Sequence, residues 1–265
     1  MTTPLLDARG VSVQFGGVVA LDAVDFAANE GAITGLVGPN GAGKTTLFGI
    51  LSGLIRPQAG QVSLGDVDIT SMSPQKRTRL GLARTFQRLE LFGEMTVREH
   101  LVVAHRVRHR RDRTLARDLL GLGGRPSAGE DEAVDSILEL LGLDGVAQQP
   151  VVLLPLGTGR IVEIGRALAT EPRIVLLDEP TSGLDVHETA QVAAALRSAR
   201  DDRGVAFVVV EHDVELVLEI SEAITVLDFG KVIAQGPPSD IRSSAEVQAA
   251  YLGSTADSGA DSGAS

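Results

Sequence analysis

The stretch Gly38-Pro39-Asn40-Gly41-Ala42-Gly43-Lys44-Thr45-Thr46 constrains this chain more than any other. It fits G-x-x-x-x-G-K-[ST], a loop whose glycines let the backbone fold tightly, so that successive N–H groups face one concavity. Its flanks suit that reading. Ile33-Thr34-Gly35-Leu36-Val37 is an apolar run of strand length, and Thr46-Leu47-Phe48-Gly49-Ile50-Leu51 is apolar at helical spacing. The loop therefore joins the carboxyl end of a strand to the N-terminus of a helix, whose dipole favours an anion there. In such a loop Lys44 reaches the β- and γ-phosphates of a nucleotide and the Thr45 hydroxyl binds Mg²⁺. A glycine corner that only closed a strand–helix turn would not need lysine and threonine in register.

Composition narrows the classes. The 265 residues are enough for one large domain, and 43% hydrophobic with 22% charged residues is the balance of a globular protein. Lysine and arginine number 24 against 35 acidic residues, a net charge of −11, and aromatics are 3%. That balance argues against nucleic acid as a partner, which wants a basic face and stacking rings. With no cysteine there is no disulfide and no thiolate chemistry, which suits a reducing interior. Met1 to Gly10 lacks the pattern of a signal peptide. No apolar run approaches the ~20 residues that span a bilayer, so any membrane role falls to a partner.

Along the chain, Leu6 to Phe15 and Val18 to Phe26 read as antiparallel strands joined at Gly16-Gly17. Phe15, just before that turn, reads as a platform for a nucleotide base or as a partly buried strand residue. Gly60 to Asp68 reads as a strand pair turning at Gly65-Asp66, and Pro74 to Leu80 as a helix with proline in its first turn. Leu82 to Gln87 reads as a strand ending in a neutral amide. Gln87 there suits a Mg²⁺ shell or a positioned water, or else a plain surface site. Thr96 to Ala104 is helical and runs on into Arg106 to Arg113, dense in arginine and flanked by His105 and His109. That segment reads as a solvated face or a contact for an acidic surface, and the histidines lack partners at metal-ligand spacing. Gly121 to Gly129 reads as a loop and Glu130 to Leu141 as a helix.

Gly157-Thr158-Gly159 precedes a helical period from Arg160 to Ala169, which makes a second glycine-bearing helix start and a second possible anion site. Ile174-Val175-Leu176-Leu177-Asp178-Glu179 is an apolar run closed by two acids, as in a buried parallel strand ending at a ligand crevice. With a phosphate loop in the same chain, Asp178 serves the Mg²⁺ shell and Glu179 polarises the attacking water. Ser182 to Asp185 turns into a helix from His187 to Arg200. Val205 to Val210 is a strand ending in Glu211-His212-Asp213, where His212 is placed to meet a γ-phosphate or its attacking water. Ala223 to Leu227 and Lys231 to Ala234 read as a closing hairpin, followed by short helices at Pro238 to Arg242 and Glu246 to Leu252.

Taken in this order, Phe15, the phosphate loop, Gln87, a glycine-bearing helix start, the Asp178-Glu179 strand, the Ser182-Gly183-Leu184-Asp185 turn and His212 resemble the ATP-binding subunit of ABC transporters. The resemblance runs to about Gly253. Ala83-Arg84-Thr85-Phe86-Gln87, Val210-Glu211-His212-Asp213, Val226-Leu227-Asp228-Phe229-Gly230 and Ala250-Tyr251-Leu252-Gly253 resemble the subgroup that drives branched-chain amino-acid import. The fold expected is α/β, a P-loop NTPase of ABC type. A mostly parallel core sheet carries the site, beside an antiparallel N-terminal β-subdomain and a helical sub-domain over about 88–169. Residues 1–253 form the domain and 254–265 a disordered tail.

The resemblance implies ATP and Mg²⁺ as cofactors and a head-to-tail pair of subunits, homo- or heterodimeric. Each site joins one subunit's phosphate loop to the other's signature segment. It also implies a groove near Gln87 that grips multi-pass permease subunits, an extracytoplasmic solute-binding protein as an indirect partner, and a peripheral place on the cytoplasmic face of the cell membrane. Closure and hydrolysis would switch the permease between inward- and outward-facing states. One departure stands out. The family signature reads Leu-Ser-Gly-Gly-Gln, and here Leu154-Pro155-Leu156-Gly157-Thr158. Pro155 has neither hydroxyl nor N–H, Gly157 keeps its backbone donor, and Thr158 replaces the glutamine. One missing donor to a developing charge costs on the order of 3 kcal/mol. The chain then works beside an ATPase subunit with a complete signature. Urea or amide import, lipid export, and a nucleotide-binding regulatory role stay open. A soluble ATPase of translation or DNA repair fits less well, since one phosphate loop and no sustained heptads are present.

Overall fold

The computed structural model of the chain describes residues 4–85, 90–109 and 128–257. Gln87, Arg110 to Arg113 and residues 121–127 of the expected Gly121–Gly129 loop lie outside the described residues, while Ala128 and Gly129 already open a helix.

Two sheets organise the chain. Strands β1 (Leu6–Phe15), β2 (Val18–Ala28), β4 (Ala59–Leu64) and β5 (Val67–Asp68) form an antiparallel sheet in the order β2-β1-β4-β5. Along β1, Leu6, Ala8, Val11 and Val13 are buried while Arg9 and Gln14 are exposed. The alternation slips once between Ala8 and Val11, where the register with β2 also shifts. A bulge there keeps the apolar face inward past Gly10.

The second sheet runs β10-β9-β3-β8-β7-β6, from β3 (Ile33–Val37), β6 (Leu82–Arg84), β7 (Ile174–Asp178), β8 (Ala206–Val210), β9 (Ala223–Asp228) and β10 (Lys231–Gly236). All its neighbours are parallel except the β9–β10 hairpin. Strands buried on both faces read as unbroken apolar runs, and the packing of β7 and β8 shows why. Leu176 and Val208 point into the core shared with the antiparallel sheet and α1 (Lys44–Ser52). Leu177, Phe207 and Val209 point the other way, into the core under the helices. Those are α3 (Val97–His109), α4 (Ala128–Leu140), α5 (Leu156–Leu168) and α6 (Val186–Arg203). A third cluster joins α7 (Val214–Ile220), α8 (Pro238–Ser243) and α9 (Ala245–Asp257) to Val37 and Val226.

The phosphate-loop helix α1 is held from below by a residue that the sequence reading passed over. Arg77, on α2 (Pro74–Arg79), is fully buried. Its Nη1 donates to the Ile50 and Leu51 carbonyls at 2.7 Å, and its Nε to the Met72 carbonyl at 3.1 Å. The Ile50 and Leu51 carbonyls belong to the last turn of α1, at the negative end of its dipole. Burial lowers the Arg77 pKa to about 10, against the opposing charge of Asp68.

Two boundaries differ from expectation. The helix expected from Arg160 begins at Leu156, because Pro155 sits at its N-cap with a fixed φ of −55° that feeds the first turn. The last helix runs to Asp257, past the expected end at Leu252. Val247 and Tyr251 anchor it to the core, and each further residue then adds a hydrogen bond without a new nucleation cost. Residues 258–265 lie outside the described residues.

Candidate active site at the carboxyl edge of the parallel sheet

Strands β3, β6, β7 and β8 point the same way, so Val37, Arg84, Asp178 and Val210 end along one edge. The phosphate loop leaves that edge after β3. A Cβ at Gly38 would lie 2.1 Å from the Leu227 carbonyl oxygen, so only glycine lets the loop pass the β9 end. Gly43 has φ 105°, and a Cβ there would lie 2.8 Å from the Ala20 carbonyl. No side chain caps the start of α1 at Gly43, which leaves its first N–H groups for an anion. Lys44 is 6% exposed and donates to the Gly38 carbonyl and, at 3.0 Å, to that of Pro39. Burial lowers its pKa, while Glu179 and Asp178 nearby pull the other way. Asn40, Gly41 and Thr45 are exposed, Pro39 and Thr46 partly so, and Ala42 is buried.

The acids stand opposite. Burial raises the Asp178 pKa, the Glu179 charge adds to it, and Arg84 opposes both. Glu179 has a left-handed backbone, φ 49°, a strained state that persists only where the surroundings over-determine it. Its N–H donates to the Val210 carbonyl at 2.8 Å. His212 Nε2–H donates to Glu179 Oε1 at 2.6 Å, since a carboxylate can only accept. The Glu179 side chain is mostly buried, 16% exposed against 50% for His212. The structure thus brings Lys44, Asp178, Glu179 and His212 to one place. Phe15 stays half exposed at the tip of the β1–β2 hairpin, whose Ala20 touches the phosphate loop.

Gly157 packs elsewhere. It lies in the first turn of α5, where its N–H donates to Glu188 Oε1 at 3.0 Å. A Cβ on Gly157 would come within 2.8 Å of the Glu188 Cβ. Glu188 also closes a capping box with Asp185 at the start of α6. So the second anion site expected at this helix start is filled by a carboxylate of the same chain. Around it Val152, Leu153, Leu156 and Val186 are exposed.

Sequence reasoning missed the contacts of Glu188 and Glu211 and the Arg84 charge acting on Asp178. The Asp185-x-x-Glu188 spacing was a readable capping box. Glu211, a charge directly after a strand buried throughout, was a readable anomaly.

The comparisons with known proteins converge. A family model described as ABC transporter matches residues 21–182, and one described as branched-chain amino acid ATP-binding cassette transporter matches residues 231–257. The chain is 38% identical over 258 residues to the high-affinity branched-chain amino acid transport ATP-binding protein BraF of Pseudomonas aeruginosa, across 96% of this chain and 99% of that protein. The same identity and coverage hold for LivG of Escherichia coli strain K12, which carries the same description. A crystal structure of an ATP-binding cassette of an ABC transporter in its ADP conformation superposes with TM-score 0.81 and 29% identity, over 95% of this chain and all of that one. A nucleotide-free cassette superposes with TM-score 0.78 and 28% identity, over 94% and 99%. With a family model over residues 21–182 and relatives 38% identical across nearly their whole length, this chain belongs to the ABC transporter family.

Proposed function

We propose that this chain is the ATP-hydrolysing subunit of a membrane importer of branched-chain amino acids. The observation that carries it is the 2.6 Å contact of His212 with Glu179 beside the buried Lys44. Lys44 exchanges the loop carbonyls for the β- and γ-phosphates of ATP. Glu179 takes the proton of the attacking water as general base, and His212 fixes its carboxylate. Phe15 stacks on the adenine. Thr45 and Asp178 would hold Mg²⁺, and they fit it: both offer hard oxygen donors, and the Glu179 charge beside Asp178 favours a cation there. Bound there, Mg²⁺ neutralises charge on the β- and γ-phosphates. Gln87 would complete that shell or position the water. Gly157 would serve the ATP of the neighbouring subunit only once its N–H is released from Glu188.

The partners follow from the surface. Among the described residues no helix is long and apolar enough to cross a membrane. A groove of about 640 Å³ lies between Leu91, Phe92, Met95, Val103 and Val107, with Phe92 67% exposed. An apolar groove of that size fits a cytoplasmic helix of a permease, which would hold the chain on the inner membrane face. Pro155 and the occupied Gly157 donor favour pairing with a second ATPase subunit of complete signature. A solute-binding protein outside the membrane would deliver cargo. The test is turnover by the chain co-expressed with such permeases and reconstituted in vesicles. Leucine, isoleucine or valine with a cognate binding protein should raise Mg·ATP hydrolysis severalfold. Stimulation by urea or amides in their place would reassign the cargo.

A further inference from the structure

Glu211 is 3% exposed, follows β8 directly, and has no role in the chemistry above. Its carboxylate is nevertheless fully engaged. Oε1 accepts from the Thr181 N–H at 2.9 Å and from the Thr181 hydroxyl at 2.7 Å. Oε2 accepts from the His212 N–H at 3.2 Å. Thr181 lies two residues after Glu179, and His212 is the partner of Glu179. One buried carboxylate therefore ties the loop after β7 to the loop after β8.

We propose that Glu211 is a positioning residue that clamps Thr181 and His212 so that the strained Glu179 meets its histidine. The left-handed backbone of Glu179 needs restraint on both sides. On the near side its own N–H is fixed to Val210. On the far side the restraint is Thr181, held twice by Glu211. The same carboxylate orients the backbone from which the His212 ring projects. A glutamine in its place keeps one acceptor oxygen and turns an amide N–H₂ toward either the Thr181 N–H or the His212 N–H, so one tie breaks. A serine at 181 keeps both donors, and a valine removes only the hydroxyl.

The clamp rests on the reading of Glu179 as general base, and the experiment separates the two. Turnover and equilibrium ATP binding are measured for Glu211→Gln, Thr181→Val, Thr181→Ser and Glu179→Gln in the assembled transporter. The ¹⁵N signals of the His212 ring are followed in the full chain alone. Glu211→Gln should lower kcat on the order of 10²-fold, the scale of a small misplacement of reacting groups, with ATP affinity within about twofold. Its His212 Nε2–H signal should lose the carboxylate-bonded position. Thr181→Val should lose less, Thr181→Ser should match the parent, and the double variant Glu211→Gln/Thr181→Val should be no worse than Glu211→Gln alone. Unchanged kcat and His212 signals in Glu211→Gln would overturn the clamp. So would parallel losses of kcat, ATP affinity and melting temperature in Thr181→Val, the mark of a merely structural bond. Full turnover in Glu179→Gln would sink the base assignment instead.

Discussion

The two faces that the proposed subunit pair would bring together are built to different rules here. On the sheet edge, Lys44, Asp178, Glu179 and His212 are placed by buried strands and by a loop with no room for side chains. On the helical side, Pro155 caps α5 without a side-chain bond, the Gly157 donor is taken by Glu188, and Leu156 is 43% exposed. The first face carries the side chains that the proposed chemistry uses. The second is blunted twice, by a missing hydroxyl and by an internal anion. Under the proposed function, such a chain would supply one strong half-site and one weak one, and a different neighbour would serve the weak half.

The largest break in that comparison comes from Glu179→Gln. The amide keeps the shape and loses the base. Turnover should fall on the order of 10³-fold while ATP binding persists, as measured by steady-state hydrolysis and by equilibrium binding. Retained turnover would mean that the sheet edge is not the chemical half.

Pro155→Ser acts on the weak face. Serine is a preferred N-cap and Pro155 makes no cap bond, so the helix gains about 1 kcal/mol, or roughly 2–4 °C in melting temperature. The same hydroxyl is the donor that the signature lacks, so turnover by a pair of these chains should rise about tenfold, within the ~3 kcal/mol that one such donor is worth. A stabilised protein with unchanged turnover would show that the hydroxyl is not what the weak face lacks.

Glu188→Ala separates the two defects. It frees the Gly157 N–H for a phosphate and removes one arm of a capping box. Stability should fall by about 1 kcal/mol while ATP-driven pairing, measured by light scattering with Glu179→Gln as the trap, strengthens severalfold. Weaker pairing would mean that Glu188 supports the closed state rather than competing with it.

These contrasts explain what was legible in the sequence. Gly38 and Gly43 are dictated by backbone crowding, and β7 and β8 by burial on two faces, so motif and period alone recover the strand order's active edge. The Glu188–Gly157 bond spans 31 residues and depends on how α5 packs on α6, which no local pattern encodes. Arg77 looked like one more basic residue in a polar helix, and only the end of α1 explains its burial. Glu211 differed from its neighbours only by following a buried strand.

The smallest effect belongs to His100, on the helical side of the groove. It is 2% exposed. Its Nε2 accepts from the Phe92 N–H at 3.0 Å and its Nδ1–H donates to the Thr96 carbonyl at 2.9 Å, so both nitrogens are committed only while the ring is neutral. Burial lowers its pKa, the Arg166 charge adds to that, and the Thr96 carbonyl and Glu99 oppose it. The unfolded chain thus binds this proton more readily than the folded one. The contribution of His100 is fully present above about pH 6.5 and is lost as pH falls below it toward the lowered folded value. His100→Gln cannot take up that proton. Denaturant titrations at pH 7.5 and 5.5 should therefore show the parent losing more stability on acidification than the variant, with the Phe92 end of the groove loosening first. Equal losses would assign the acid sensitivity to other groups and leave the groove indifferent to pH.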